Sequence, residues 1–339
     1  MKNFLIRRLL LIIPMIIVIS LIVFVLLTLQ GDPFHQLLMN PHVRPEDVKI
    51  LMHNWNWDRP LPIRYLNWLK EFFVSTFAPR AGNGWGFSLL APGMTARTLI
   101  LSKLPLTLAL SGGSILLSII IAVPIGIFSA LHQYGLGDNI ATFFAFFGMS
   151  MPSFWFGIML IILFGLKLHW FPISGMHSDM LTVGGQLVDF YSASWLARFA
   201  NRAWYMALPI AVLSLLGVGG WMRYMRSSVL EVIRQDYIRT ARAKGVPERI
   251  VIMKHALRNA LIPIITLIGL TLPGIIGGAM ITEQVFALDG MGRLTLQAVL
   301  GNDMFVAMAI LMIDSLLVLF GSLLADILYA VADPRVRYS

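Results

Sequence analysis

Residues Leu9 to Leu29 read L-L-L-I-I-P-M-I-I-V-I-S-L-I-V-F-V-L-L-T-L, a run without a single charge. A hydrocarbon core of about 30 Å is crossed by roughly 20 helical residues, so this run is long enough to span a bilayer. Five further apolar runs are read the same way: Leu104–Leu131, Ile140–Leu166, Met206–Met222, Leu261–Thr282 and Met304–Val331. The fourth is short and Gly-rich (Gly217, Gly219, Gly220), which leaves its ends open. None of the runs alternates apolar with polar. In lipid every backbone N–H and C=O must bond internally, and unbroken runs satisfy this as helices rather than as barrel strands. Met1 to Arg8 followed by an apolar stretch resembles a signal peptide. The stretch is too long for one, however, and Gln30-Gly31-Asp32-Pro33 reads as a turn rather than a cleavage site. A retained first transmembrane helix is expected.

Composition agrees. Of 339 residues 58% are hydrophobic and 13% charged, with mean hydropathy +0.78. A soluble domain carries about a quarter charged residues, so the bilayer is the main solvent and two independent soluble cores are excluded. The net charge of +9 would raise nucleic acid as a partner in a soluble protein. Here the basic residues flank apolar spans, where lipid headgroups and topology account for them. The chain has no cysteine, which excludes disulfides, thiolate metal sites and Cys nucleophiles.

Six spans put both termini on one side. The Arg223–Asn259 connection holds nine Lys and Arg, and the connection between spans five and six holds only Arg293. Lys2, Arg7 and Arg8 precede the first span; Arg335 and Arg337 follow the last. The positive-inside rule therefore places the termini and the basic connection in the cytoplasm. The basic-free stretch His132–Asp138 argues weakly the other way, while the long Gln30–Lys103 loop, with eight basic residues, is exempt by length. The chain divides into 1–30 (N-terminal region and first span), 31–103 (an extracytoplasmic loop) and 104–339 (a five-helix core with a cytoplasmic loop at 223–260). Within the first loop, Leu61–Phe77 carries Tyr65, Trp68, Leu69, Phe72 and Phe73, and forms one short amphipathic helix at the interface.

Catalytic patterns are missing. There is no G-x-x-x-x-G-K-[ST], no H-E-x-x-H and no G-x-S-x-G, so the chain cannot hold a nucleotide by a P-loop of its own. His35, His42 and His53 share the first loop with Glu46 and Asp47, but spacings of 7 and 11 fit no compact metal-ligand pattern. No motif pairs a nucleophile with a base, which disfavours an intramembrane hydrolase and any enzyme. Asp314 stands near the middle of the sixth span, where a carboxylate costs about 2.5–3.5 kcal/mol or more and faces a cavity, a partner or a helix contact through Ser315. Glu283 and Asp326 sit near span ends and read as interfacial. Asp314 and Glu283 are the candidate pathway residues. Pro263, Pro273, Gly274, Gly277 and Gly278 permit kinks and close packing in span five.

The basic connection carries the remaining signal. Ser227 to Lys244 has helical propensity and neither Pro nor Gly. Gly245 then suits a left-handed C-cap, and Pro247 the first turn of a second helix reaching about Ala260. The hairpin is expected to present Thr240, Ala241 and Ala243 between Arg239, Arg242 and Lys244, a small-residue face with charge complementarity for a partner. From these residues alone, a docking surface and a loop that only fixes topology remain equally open.

Asp236-Tyr237-Ile238-Arg239-Thr240-Ala241-Arg242-Ala243-Lys244-Gly245, followed by His255-Ala256-Leu257-Arg258-Asn259-Ala260 and Pro263, resembles the permease loop of ABC importers. That loop reads E-A-A-x3-G-x9-I-x-L-P. Arg239-Thr240-Ala241 stand in for E-A-A, and His255-Ala256-Leu257-Arg258 fall at I-x-L-P. These departures resemble the peptide/nickel branch, in particular the first membrane subunit of dipeptide and oligopeptide permeases. Further strings agree in order: Gly31-Asp32-Pro33, Trp85-Gly86-Phe87-Ser88, Ser150 to Gly157, Trp170 to Gly175, Thr282-Glu283-Gln284-Val285-Phe286 and Gly290-Met291-Gly292-Arg293. Asp333-Pro334-Arg335-Val336-Arg337 closes the series, while Gln30 and Asp289 replace prolines of the pattern.

The resemblance implies an all-α membrane protein with six transmembrane helices in the type I ABC importer permease fold, in the cell's inner (plasma) membrane. It assigns ATPase coupling to Asp236, Tyr237, Arg239, Thr240, Ala241, Lys244, Gly245 and His255. No cofactor is then bound by this chain, ATP and Mg being held by partner subunits. The implied partners are a homologous second permease, two ATP-binding subunits and an extracytoplasmic substrate-binding protein. Di- or oligopeptides are the implied cargo, with nickel chelates and oligosaccharides as alternatives in the same branch. A self-sufficient secondary transporter, with Asp314 carrying a coupling proton, is the alternative from another class; no internal inverted repeat supports it.

Overall fold

The structure, a computed structural model, describes residues 2–39, 41, 43–78, 84–183 and 186–332. The closing Asp333–Arg337 string, His42 and the Asp326 side chain lie outside the described residues. The first apolar run forms α1 (Lys2–Leu29). The loop after it builds three helices where the sequence predicts one: α2 (His35–Leu38), α3 (Pro45–Asn54) and α4 (Leu61–Phe77). Pro45 and Pro62 sit in the first turns of α3 and α4, where a missing N–H forfeits no helical bond.

The long α5 (Ala96–Leu131) starts well before the second apolar run because Thr95 caps it, its Oγ1 accepting from the Thr98 amide at 3.2 Å. The third run is not one crossing. It splits into α6 (Leu136–Ser150) and α7 (Ser153–Leu160), the latter prolonged by a π-helical turn over Ile161–Lys167, and the two parts meet at 106°. Pro152 is the reason: it holds Met151 extended (φ −77°, ψ 131°) and offers no N–H to continue the ladder. A two-stranded antiparallel hairpin follows, β1 (Met180–Val183) with β2 (Gln186–Asp189), Met180 opposite Asp189.

The fourth run proves to be the core of a 39-residue helix, α8 (Trp195–Ile233), capped by Ser194. At 1.5 Å per residue it is about 58 Å long, far more than a hydrocarbon core, so it projects beyond the bilayer. Next come α9 (Asp236–Ala243), α10 (Glu248–Ile250), a π-helical turn over Val251–Ala256, and α11 (Leu257–Ala260). The fifth run forms α12 (Ile262–Gly277), which stops short of the expected Thr282; α13 (Met280–Val285), α14 (Met291–Leu300) and α15 (Met304–Ala332) are the last described elements. Among the described residues, five helices are long and apolar enough to cross a membrane, and the bent α6–α7 pair makes a sixth if counted as one span.

The most extensive contact is between α5 and α8. Buried serines join them: Ser118 Oγ donates to the Ser214 carbonyl (2.9 Å), and Ser214 Oγ to the Ser114 carbonyl (3.1 Å). On another side α8 crosses α6 so closely that a Cβ at Gly219 would lie 2.4 Å from the Ala145 carbonyl oxygen. The partners α12 and α15 pack beside α5, and α1 packs on α15.

At the end of the bundle opposite α9–α11, the first loop folds over the start of α15. Phe34, Trp55, Trp57, Phe87 and Phe305 cluster there, Trp55 with its ring centroid 4.8 Å from that of Phe87 and 5.1 Å from that of Phe305. Asp303 ties this cap down. Its Oδ2 accepts from Ser88 Oγ (2.6 Å) and from the Leu89 and Leu90 amides (2.9 and 3.2 Å). Burial pushes the Asp303 carboxyl above the usual carboxylate range, against the lowering effect of these bonds.

Two outcomes are expected. Gly219→Val should lower the thermal unfolding temperature of the detergent-solubilised protein, at a cost of about 1–3 kcal/mol from overpacking. Gly220→Ala, where nothing lies within 4 Å of the added Cβ, should leave it unchanged. Asp303→Ala should open the cap to protease at a cost of about 2–3 kcal/mol, because the Ser88 hydroxyl and two amides lose their acceptor. Asp303→Asn, which keeps an acceptor at Oδ, should protect nearly as well as the parent.

Candidate functional site: the basic hairpin

The expected continuous helix over Ser227–Lys244 is broken. α8 ends at Ile233, Gln235 turns extended (φ −72°, ψ 149°), and α9 starts at Asp236. Helix propensity loses to packing here. The turn folds α9 back so that Ile238 and Ala241 (i, i+3) are buried with Val251 and Ala256, with Val232, Ile233 and Val246 packed against them. A straight helix would leave Ile238 in water.

Beyond α9 the chain closes as a Schellman motif. Gly245 adopts φ +75°, its N–H donates to the Arg242 carbonyl (2.9 Å), and the Val246 N–H reaches the Ala241 carbonyl (3.3 Å). Arg242 and Glu248 clamp the turn with two bonds, Nη2 to Oε1 at 2.6 Å and Nε to Oε2 at 3.1 Å. Asn259 donates to the Tyr237 hydroxyl (2.7 Å), fastening the second limb to the first. At the base, Ser228 Oγ donates to the Ala260 carbonyl (2.8 Å).

This packing sorts the expected docking residues. Asp236, Tyr237, Arg239, Thr240, Ala243, Lys244 and Gly245 are exposed, and His255 is half-buried. Ala241 is not on the presented face: it belongs to the hairpin's own core. The exposed face adds apolar side chains that the sequence does not single out, Ile250 (45% exposed) and Met253 (59%) beside Tyr237 (42%). A small, partly apolar, cation-rimmed prominence is the result. Its only described ion pair besides Arg242–Glu248 is the loose Arg239–Asp236 contact at 3.6 Å.

The two candidate pathway carboxylates part company. Glu283 is not interfacial but fully buried. It accepts from the Arg293 amide (2.7 Å) and from Thr107 Oγ1 (3.2 Å), bracing the first turn of α14 against α5. A Cβ at Gly290 would lie 2.6 Å from its Cδ and one at Gly278 2.7 Å from its Oε1, so these two glycines admit the side chain, whereas Gly292 clears the Met280 backbone. Asp314 faces α12, its Oδ2 3.7 Å from where a Cβ at Gly277 would stand, and its Oδ1 is buried without a hydrogen-bond partner among the described residues. Ser315 does not help, because its hydroxyl bonds back to the Leu311 carbonyl (2.7 Å).

One site residue pair escapes sequence reasoning. Asp138, in the first turn of α6, is buried and accepts from Arg226 of α8 (Nη2–Oδ2 2.9 Å, Nε–Oδ1 3.2 Å), from the Tyr134 amide (2.9 Å) and from Ser129 Oγ. It locks the α5–α6 turn to the base of the hairpin. The available signal was an acidic residue beside an apolar run with no basic neighbour in its own loop; its partner lies 88 positions away.

Residues 122–338 match the family described as binding-protein-dependent transport system inner membrane component, and residues 1–111 match the corresponding N-terminal membrane-component family. The chain is 37% identical over 339 residues, 100% of both chains, to the oligopeptide transport system permease protein AppB of Bacillus subtilis. It is 36% identical over 340 residues to a putative peptide permease protein of Brucella ovis, covering 99% of each. It is 34% identical over 348 residues to the di/tripeptide transport system permease protein DppB of Pseudomonas aeruginosa, covering 100% of this chain and 99% of the relative.

Because the Asn259–Tyr237 bond joins the limbs, Tyr237→Phe should loosen the hairpin by about 1 kcal/mol. Amide exchange over 236–260 should then rise severalfold, with exchange in α5 unchanged.

Proposed function

The chain belongs to the binding-protein-dependent transport system inner membrane component family, and from that premise we propose that it is a membrane-spanning subunit of an ATP-driven importer of di- or oligopeptides. The observation that carries this reading is the exposed hairpin, a folded prominence with no nucleotide motif behind it. A permease that makes no ATP site of its own needs a surface through which another subunit can move it. Peptide cargo is supported by relatives named for oligopeptide and di/tripeptide transport that match over the whole chain. Nothing in the chain favours nickel chelates or oligosaccharides over peptides.

In the assembly we propose, a second homologous permease completes the pathway and two ATP-binding subunits each seat one permease's hairpin. A binding protein delivers the solute from the outer side. The hairpin and both termini face the cytoplasm, in keeping with the basic residues of 223–260. Asp236, Tyr237, Arg239, Thr240, Lys244 and Gly245 form the contact face, joined by Ile250 and Met253. Ala241 supports it from inside, and His255 lies at its edge. ATP and Mg stay on the partners. When the ATP-binding subunits close, the Ser228–Ala260 bond carries hairpin displacement into α8 and α12, and the pathway alternates between outward- and inward-facing. Asp314 is the pathway candidate, since its buried Oδ1 has no hydrogen-bond partner among the described residues. Glu283 is better read as a brace.

One observation favours a second reading: Asp314, whose Oδ1 has no partner among the described residues, would suit a proton-coupled secondary transporter. The two are separated by Gly245→Trp in the reconstituted assembly. An importer should lose uptake and binding-protein-stimulated ATP hydrolysis while inserting normally into the membrane. Uptake that survives this change, or that runs on a proton gradient without ATP, would overturn the proposal.

A further inference from the structure

The end of α8 that leaves the bilayer carries more cations than its packing uses. Past the apolar run that closes at Met222, Arg223, Arg226, Ser227, Leu230, Glu231 and Arg234 fall at i, i+3, i+4, i+7, i+8 and i+11, one stripe down the helix. The stripe lines an open groove of about 680 Å³. The span sets the depth of its upper end. A polar interfacial layer of about 5–7 Å borders the hydrocarbon, and Arg223 to Ser227 cover about 6 Å at 1.5 Å per residue. Tyr224, 48% exposed, marks the same level, as aromatic side chains do where bilayer meets water.

The donors of this groove are open to a ligand. Arg226 is anchored to Asp138 and Ser129 through Nε and Nη2, which leaves Nη1 without a bond among the described residues. Arg223 rests 5.6 Å from the Tyr224 ring centroid. Arg223 and Arg234 are both exposed, with no acceptor or ion pair among the described residues, and Ser227 adds an exposed hydroxyl. Side chains on a helix lean toward its N-terminus, here toward the membrane, so Arg234 reaches back up the groove. Against three arginines the groove sets one acid, Glu231, and is therefore net positive.

We infer that this groove binds an anionic phospholipid from the leaflet on the hairpin's side, its phosphate held by Arg223, Nη1 of Arg226 and the Ser227 hydroxyl, with Arg234 closing on the headgroup from below. The planar fork of a guanidinium fits phosphate oxygens, and basic pockets beside membrane helices take lipid headgroups by this chemistry. The lipid braces the projecting end of α8 next to the Arg226–Asp138 lock, between the span and the hairpin. The inference goes beyond the importer reading and holds whichever solute is carried.

The test uses the assembled transporter, stripped of lipid in neutral detergent, titrated with phosphatidylglycerol and followed by native mass spectrometry. Saturable binding is expected, at least tenfold tighter than for phosphatidylcholine with the same acyl chains. Arg223→Gln combined with Arg234→Gln should remove one lipid from the saturated count, whereas the Arg223→Lys and Arg234→Lys pair should retain it. Glu231→Gln should tighten binding severalfold. An unchanged count in the double Gln variant, or equal binding of phosphatidylcholine, overturns the site. If the double Gln variant fails to fold, Glu231→Gln decides alone, and binding no tighter than the parent's counts against the proposal. Displacement by inorganic phosphate at the affinity of the lipid assigns the groove to free phosphate and overturns the lipid reading. So does binding by the isolated chain that the assembled transporter lacks, because the groove is then a seat for another subunit.

Discussion

Lipid gives two apolar helices no hydrophobic reason to associate, so the contact between α5 and α8 has to be made by small residues and internal hydrogen bonds. Ser118 and Ser214 provide the bonds, the Ser118 hydroxyl donating to the Ser214 carbonyl and the Ser214 hydroxyl to the Ser114 carbonyl. Gly219 lets α6 close on the other side of α8. Every other element is placed relative to this core. The α12–α15 pair packs on α5, α1 packs on α15, and the first loop packs on α1 and the start of α15.

The same core makes α8 a rod between two peripheral devices. Near its first turns, Asn201 accepts from the Ser178 amide (3.0 Å), and the Tyr205 and Ser178 hydroxyls share a bond at 3.2 Å, so the stretch leading to β1 is held to the helix. At its other end, Arg226 is locked to Asp138 and Ser228 to Ala260. A push on the hairpin therefore meets α8 and α12 together. Pro209 removes one main-chain bond from α8, so a change of bend would be concentrated there.

Hydropathy made the spans legible, because twenty apolar residues have few fates besides a bilayer. What it could not show were interruptions set by single residues or by packing. Pro152 sits inside an apolar run and breaks it without changing its hydropathy. Arg234-Gln235 carries no breaker at all, yet the helix stops there because Ile238 must be buried. Gly245, by contrast, was readable, since a left-handed cap demands a residue without a Cβ. The presented face of the hairpin was only half readable. Small size marks residues that fit against something, and in Ala241 that something is the hairpin's own interior.

The carboxylates show how a motif discriminates where composition cannot. In sequence Glu283 and Asp314 are both acids set among apolar residues, Asp314 near the middle of the sixth span and Glu283 just past the end of the fifth. Glu283, however, travels with Gly278 and Gly290, where a Cβ would lie 2.7 and 2.6 Å from its carboxylate, and two glycines placed around one side chain are the mark of a built pocket. Each of its oxygens already accepts a bond, from the Arg293 amide and from Thr107, and the side chain is fully buried, out of reach of a passing solute. Asp314 has no such escort. Its neighbour Ser315 is spent on its own helix, and the surface it meets on α12 is the bare backbone at Gly277. A carboxylate kept in a membrane helix without local satisfaction is unfavourable for stability alone. The described residues supply no group to Oδ1 that offsets this cost.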